Sequence, residues 1–113
     1  MVSAAAAKAK GRLFQQKIAK ALTKAFSLEE GDIESRSMGA QGEDLMLSPA
    51  ARRKLPFSFE CKKHKRFGVY PHYEQAKVNS GKHTPVLVIE ADRKKPLVVL
   101  DFNDFIRLVS KCK

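Results

Sequence analysis

The strongest constraint on the fold is the strict alternation of apolar and polar residues over residues 57–62, FSFECK. Side chains alternate between the two faces of a β-strand, so this pattern predicts a strand. The apolar residues Phe57, Phe59 and Cys61 face one side, and the polar residues face the other. Glu60 and Lys62 therefore lie side by side, which places a carboxylate and an ammonium together on a core strand.

Local patterns predict the first elements of the chain. Apolar residues at a spacing of 3.6 predict an amphipathic helix over residues 12–26. Short strands are predicted at residues 33–36 and 44–47. Ser48 followed by Pro49 is typical of a helix N-cap and first turn, here continuing through Arg53.

The second half of the chain repeats the mixture of helix and strand. A helix is predicted over residues 70–79, a buried strand over 85–91 and its hairpin partner over 97–100. Asn103 is the predicted cap of a last helix. The apolar face of that helix consists of Phe105, Ile106, Leu108 and Val109.

The order helix, strands, helix, strands, helix predicts an α/β fold with a central mixed β-sheet flanked by helices. A chain of 113 residues suits one domain. We expect residues 1–10, rich in alanine and lysine, to form a flexible basic arm, and residues 11–113 to form the single domain. No apolar run approaches the roughly 18 residues that span a bilayer, so no membrane partner is expected.

The charge of the chain predicts a polyanionic partner. Lysine and arginine total 22 against 12 acidic residues, a net charge of +10. Nucleic acid, an anionic membrane surface or an import receptor could each bind such a surface. The two cysteines, Cys61 and Cys112, provide no disulfide framework, which favours a reducing cytosol.

Asp44 is a second carboxylate, on the predicted strand 44–47, that can lie beside the polar face of the predicted core strand. If the two strands are neighbours, Asp44 and Glu60 can share a hard divalent cation such as Mg²⁺, with Lys62 close to a substrate phosphate. The alternative is that Glu60 and Lys62 form a solvent-facing ion pair. A basic rim around the acids favours a nuclease; its members are Arg52, Arg53, Lys54, Lys63, Lys65 and Arg66.

Three segments carry a resemblance to a known family. GAQGED at 39–44, SPAAR at 48–52 and PFSFECK at 56–62 follow a basic helix and precede a helix that contains Gln75. In this order they resemble the PD-(D/E)xK nuclease superfamily, and within it the small phage-type endonucleases related to Holliday junction resolvases. The similarity extends from about Gly11 to Val109. It implies a restriction-endonuclease-like core.

The resemblance also implies roles for individual residues. Asp44 and Glu60 would be metal ligands for Mg²⁺ or Mn²⁺, with the backbone carbonyl of Cys61 as a third ligand. Lys62 would orient the attacking water or stabilise the transition state. Gln75 would be a catalytic polar residue from the following helix; a solvated helix glutamine is the alternative.

Junction resolvases of this superfamily often carry a glutamate on the first helix. This chain has Gln15 and Gln16 at the matching positions. Glu43, Asp32 or Glu34 could supply the missing acid.

Together these features predict a Mg²⁺-dependent DNA endonuclease, a homodimer that cuts branched DNA and takes no small-molecule substrate. A phage-encoded protein acting in the cytoplasm of a bacterial host is the expected setting. The residues expected to contact DNA are Lys10, Arg12, Arg52, Arg53, Lys63, Lys65 and Arg66. The alternatives are a non-catalytic basic protein that binds nucleic acid, and a membrane-active or imported basic protein.

Overall fold

The computed structural model describes residues 3–37, 39–66 and 68–112. The helices in this part of the chain are α1 (Ala4–Ala25), α2 (Pro49–Lys54), α3 (Val69–Val78) and α4 (Phe102–Lys111). The strands are β1 (Ile33–Ser35), β2 (Leu45–Leu47), β3 (Phe57–His64), β4 (Thr84–Ala91) and β5 (Leu97–Val99).

A mixed three-stranded sheet forms the centre of the molecule. Strand β3 pairs in parallel with β4, with Phe57 opposite Thr84, and β5 runs antiparallel along the other edge of β4. Helix α3 provides the crossover between the two parallel strands. The predicted α/β class, with a mixed sheet packed against helices, is confirmed.

The two remaining strands, β1 and β2, form a separate antiparallel hairpin in which Ile33 lies opposite Leu47. The backbone N–H of Asp44 donates a hydrogen bond to the carbonyl of Phe59, N to O 2.9 Å. Asp44 directly precedes β2, so this bond holds the start of β2 against the middle of β3.

The main core lies between α1 and one face of the central sheet. Phe14 and Ile18 of α1 pack in one apolar cluster with Phe59 and Cys61 of β3. Full burial of such a side chain stabilises a fold by about 1.5–3 kcal/mol. The predicted inward face of β3 is confirmed. Its polar face is also covered in part, because Ser58 is buried where α3 crosses the sheet.

Helix α1 begins at Ala4, well before the predicted start at Arg12. The Ser3 hydroxyl accepts a hydrogen bond from the N–H of Ala6, which caps the helix. The alanines that follow have the highest helix propensity, and this outweighs the cost of Gly11 within the helix. Residues 4–10 of the predicted arm are therefore helical, while residues 1 and 2 lie outside the described residues.

The two predicted caps, Ser48 and Asn103, have different outcomes. Ser48 caps α2 as predicted, its hydroxyl accepting from the N–H of Ala51. The predicted cap of α4 is wrong, because Asp101 and not Asn103 accepts from the first backbone amides of the helix. Asp101 directly precedes the helix, so its carboxylate reaches those amides, whereas Asn103 already lies inside the helix.

The predicted apolar face of α4 exists, but it is not buried. No residue of α4 is buried in this structure, and Phe105, Ile106 and Val109 are all exposed. Among the described residues, no helix is both long enough and apolar enough to cross a membrane.

Candidate active site

A cleft of about 320 Å³ opens between α1, β3, α3 and the loop before β2. We call it the site cleft. Asp44, Glu60, Cys61, Lys62 and Gln75, the residues singled out for catalysis and metal binding, all line it. The other lining residues are Gly11, Gln15, Ser37, Gly39, Ala40 and Gln41.

Asp44 is held in place by main-chain hydrogen bonds on both sides. Its carbonyl accepts from the N–H of Arg36 on the hairpin, N to O 2.8 Å. Its carboxylate accepts from the N–H of Cys61 on β3, N to Oδ2 2.7 Å. Burial raises the pKa of Asp44; that hydrogen bond and the charges of Lys62 and Arg36 lower the pKa by less.

Glu60 is the most deeply buried acid of the site cleft. Its side chain is 3% exposed, and Oε2 lies 3.3 Å from Nζ of Lys62. Burial raises the pKa of Glu60, and the nearby charge of Asp44 raises it further, against smaller lowering effects from Lys62 and Asn79. A solvent-facing ion pair, the alternative interpretation of Glu60 and Lys62, does not fit this burial.

The second carboxylate oxygen of Glu60, Oε1, is buried and has no hydrogen-bond partner among the described residues. Buried polar atoms in folded proteins are almost always paired, and leaving one unpaired costs about 1–3 kcal/mol. A cation held between Glu60 and Asp44 would satisfy this oxygen.

The donor set of the cleft fits a hard divalent cation. Carboxylate oxygens are the ligands that Mg²⁺ and Mn²⁺ prefer, and Mg²⁺ is usually held by one or two carboxylates plus substrate phosphate and water. Asp44 and Glu60 meet that requirement. Among the described residues, no group of three or more His, Cys, Asp and Glu side chains is arranged to hold a metal ion. The ligand role of the Cys61 carbonyl stays a prediction.

Three further polar residues line the cleft from β3, α3 and α1. Lys62 is mostly buried beside Glu60. Gln75 on α3 is exposed at the cleft wall. Gln15 on α1 is buried, and its Oε1 accepts a hydrogen bond of 2.6 Å from the hydroxyl of Ser35. Gln16, the other candidate for the first-helix position, is exposed.

The three acids proposed as substitutes for a first-helix glutamate lie elsewhere. Glu43 forms an ion pair with Arg52, and Asp32 accepts a hydrogen bond from Ser48. Glu34 is exposed on β1. Among the described residues lining the site cleft, Asp44 and Glu60 are the only acids.

The seven cations expected to contact DNA fall into two groups. Three of them are paired with acids: Lys10 with Asp92, Arg52 with Glu43, and Lys63 with Glu90. The other four, Arg12, Arg53, Lys65 and Arg66, are exposed. The exposed group can approach a phosphate backbone without first breaking an ion pair with another described residue.

Glu90 is a residue that sequence reasoning missed. It lies near the end of β4, and its carboxylate accepts from Lys17 on α1, Nζ to Oε2 2.6 Å, and from Lys63 on β3. These bonds lower the pKa of Glu90. The signal in the sequence was a single acid closing the apolar run of residues 85–89.

Comparison with known proteins adds no assignment. No family model, curated protein or solved structure matches this chain. The nuclease resemblance therefore depends on the residues and the geometry described above.

Proposed function

We propose that this protein is a metal-dependent endonuclease that hydrolyses phosphodiester bonds in DNA at Asp44, Glu60 and Lys62. The single observation that carries the proposal is the buried, unpaired Oε1 of Glu60, close enough to Asp44 for the two charges to interact. Two adjacent carboxylates in a partly dry cleft destabilise each other until a cation lies between them.

A purely structural role explains this arrangement poorly. Structural ion pairs in proteins satisfy their buried oxygens, whereas Glu60 leaves one oxygen unsatisfied. The non-catalytic alternative, a basic protein that only binds nucleic acid, accounts for the net charge of +10. It gives no reason for burying Asp44 and Glu60 at the base of a cleft.

Four residues of the cleft have a chemical task in this mechanism. A bound Mg²⁺ or Mn²⁺ would act as a Lewis acid and lower the pKa of a coordinated water. The Cys61 N–H holds Oδ2 of Asp44 in place, and the other oxygen, Oδ1, would bind the metal. Glu60 provides a second oxygen through Oε1. The ammonium of Lys62 counters the negative charge that develops on the phosphoryl oxygens.

The surface around the cleft supports DNA as the substrate. Arg12, Arg53, Lys65 and Arg66 are exposed cations that can neutralise phosphates. The restriction-endonuclease-like core stays part of the proposal, and the observed elements are a helix and a strand hairpin followed by a parallel strand pair with a helical crossover. No base-reading motif is apparent in the sequence, so we expect recognition by DNA shape, as in a branched junction cut by a homodimer.

The test is a cleavage assay on four-way, flapped, nicked, single-stranded and linear DNA of equal length, with Mg²⁺, Mn²⁺ or EDTA. We expect cleavage only with a metal, fastest on the branched molecules. Asp44→Asn and Glu60→Gln should abolish cleavage and retain DNA binding. Glu74→Gln, which removes an exposed acid on α3, is the matched control. Cleavage in EDTA, or by either cleft variant at the wild-type rate, would end the proposal.

A further inference from the structure

Helix α4 presents its apolar side chains to solvent. Phe102, Phe105, Ile106 and Val109 follow the i, i+3, i+4 spacing of one helix face, and they are 73%, 51%, 46% and 47% exposed. We call these four residues the α4 stripe. The least exposed residues of the helix, Asp104 and Leu108, lie on a different edge. The helix therefore contacts the rest of the molecule along that edge and leaves the stripe uncovered.

An uncovered stripe of this kind is unusual on a monomer. Phe102 and Phe105 alone would bury on the order of 200 Å² of apolar surface. Leu97 and Val98 on the preceding strand β5 are also exposed. Contiguous apolar patches of this size commonly mark protein–protein contacts.

We propose that the α4 stripe is covered by the α4 stripe of a second copy of this chain, with the two helices antiparallel about a two-fold axis. A symmetric contact requires a surface that is complementary to itself. Pairing about the middle of the helix places Phe102 against the partner's Val109, and Phe105 against the partner's Ile106. Large and small apolar side chains then alternate across the contact.

The charges of α4 favour this occupant and this direction. Asp104 and Arg107 form an ion pair within the helix, so the charges left at its two ends are Asp101 at the N-terminal end and Lys111 at the C-terminal end. Antiparallel helices place Asp101 of each helix near Lys111 of the other, and their macrodipoles attract. A parallel pair would bring like charges together. Helical spacing keeps Asp104, Arg107 and Lys111 off the stripe, so these charges stay solvated when the stripe is buried.

The same charges argue against a nucleic acid on this surface. The stripe itself carries no charge, and Asp101 and Asp104 at its N-terminal end repel a polyanion. The four charged residues of this region cancel, whereas the whole chain carries +10. Two copies can therefore meet here with less electrostatic repulsion than on the lysine-rich surface of α1. The inference gives an interface to the homodimer of the proposed function, and a dimer that cuts no DNA would support this interface while ending the nuclease proposal.

Multi-angle light scattering of the full chain over a range from one to several hundred micromolar tests the association. We expect the mass to rise to twice the 12.6 kDa of one chain. Ile106→Glu should reduce the mass to that of a monomer. Val78→Glu on α3 is the matched control, since Val78 is 82% exposed and lies outside the stripe, and it should remain a dimer. Thermal unfolding by circular dichroism should verify that both variants are folded.

Oxidative cross-linking tests the direction of the helices. An antiparallel pair holds the two Cys112 residues on the order of 20 Å apart, too far for a disulfide, which needs Cα atoms within about 7 Å. Ile106→Cys in a Cys112→Ser background lies at the proposed axis and should form a disulfide-linked dimer. A wild-type monomer throughout the concentration range, a dimer that survives Ile106→Glu, or rapid Cys112 cross-linking would each overturn the proposal.

Discussion

The carboxylate of Asp44 and the backbone amide of Cys61 are joined by a hydrogen bond of 2.7 Å. Cys61 lies between Glu60 and Lys62 in the sequence, so this bond fixes Asp44 in register with both of them. The relationship uses the main chain of β3, which is buried and paired along its length with β4. The spacing of the candidate site therefore depends on the sheet and on the carboxylate of Asp44, while Glu60 and Lys62 can be substituted without removing this bond.

Divalent metal should stabilise the wild-type protein through Asp44 and Glu60. A ligand that binds only the folded state at one hundred times its Kd adds about 2.7 kcal/mol to the free energy of unfolding. We expect Mg²⁺ or Mn²⁺ to raise Tm by several degrees in differential scanning fluorimetry. Asp44→Asn and Glu60→Gln should lose this rise and Glu74→Gln should keep it. An equal rise in Tm for the wild type and all three variants would show that the metal binds outside the site cleft.

Without metal, the raised pKa values of Asp44 and Glu60 predict a pH-dependent penalty. A carboxyl whose pKa is raised by folding stabilises the fold at low pH, and this contribution is lost as pH rises through the folded pKa. Glu60→Gln should therefore be more stable than wild type at pH 8 in EDTA. The difference should shrink as pH falls toward about 4. Urea unfolding at several pH values measures it, and a difference that grows on acidification would contradict the assignment.

Lys62 should act on the rate of cleavage and exposed cations on affinity. Removing a single preorganised group that stabilises developing charge typically costs about 100- to 1000-fold in kcat. Lys62→Ala should show such a loss with its Kd for DNA nearly unchanged. Lys65→Ala, three residues further along the chain, should show the opposite. Single-turnover cleavage at saturating DNA separates the two effects, and normal turnover by Lys62→Ala would remove it from the mechanism.

Two neighbouring arginines on α2 should behave differently. Arg52 pairs with Glu43 and donates to the carbonyl of Phe57, NH1 to O 2.6 Å, whereas Arg53 is exposed. Arg52→Ala should lower the free energy of unfolding by about 1–3 kcal/mol. Arg53→Ala should leave stability unchanged.

DNA binding over a series of salt concentrations completes this comparison. A lost phosphate contact should reduce the slope of log affinity against log salt by about one, and we expect this for Arg53→Ala. If Arg52→Ala kept full stability and changed the slope instead, the sequence-based expectation for Arg52 would hold and the structural role would fail.

Local signals in the sequence predicted the elements that hold the candidate site. The alternation in residues 57–62 gave the two faces of β3, and Ser48 with Pro49 gave the start of α2. The approach of Asp44 to Glu60 followed from the family resemblance, because sixteen residues of separation carry no distance information by themselves.

Other features depend on tertiary contacts that a sequence pattern does not contain. Lys63 was expected on the DNA surface, but its ammonium pairs with Glu90, a residue on a neighbouring strand. Helix α1 starts earlier than predicted because the alanines before Gly11 favour the helix more than the glycine disfavours it. The exposure of the α4 stripe was missed because amphipathicity predicts that a face will be covered, without specifying by which molecule.

The hydrogen bonds from Lys17 and Lys63 to Glu90 affect the order in which the acids of this protein are protonated. Lys17 lies on α1, the helix that also supplies Gln15 to the cleft wall. Because the pKa of Glu90 is lowered while those of Asp44 and Glu60 are raised, a falling pH protonates the two cleft acids first. The cleft wall is still tethered at that stage. Acid would thus neutralise the two cleft carboxylates before it breaks the bonds between Glu90 and its lysines.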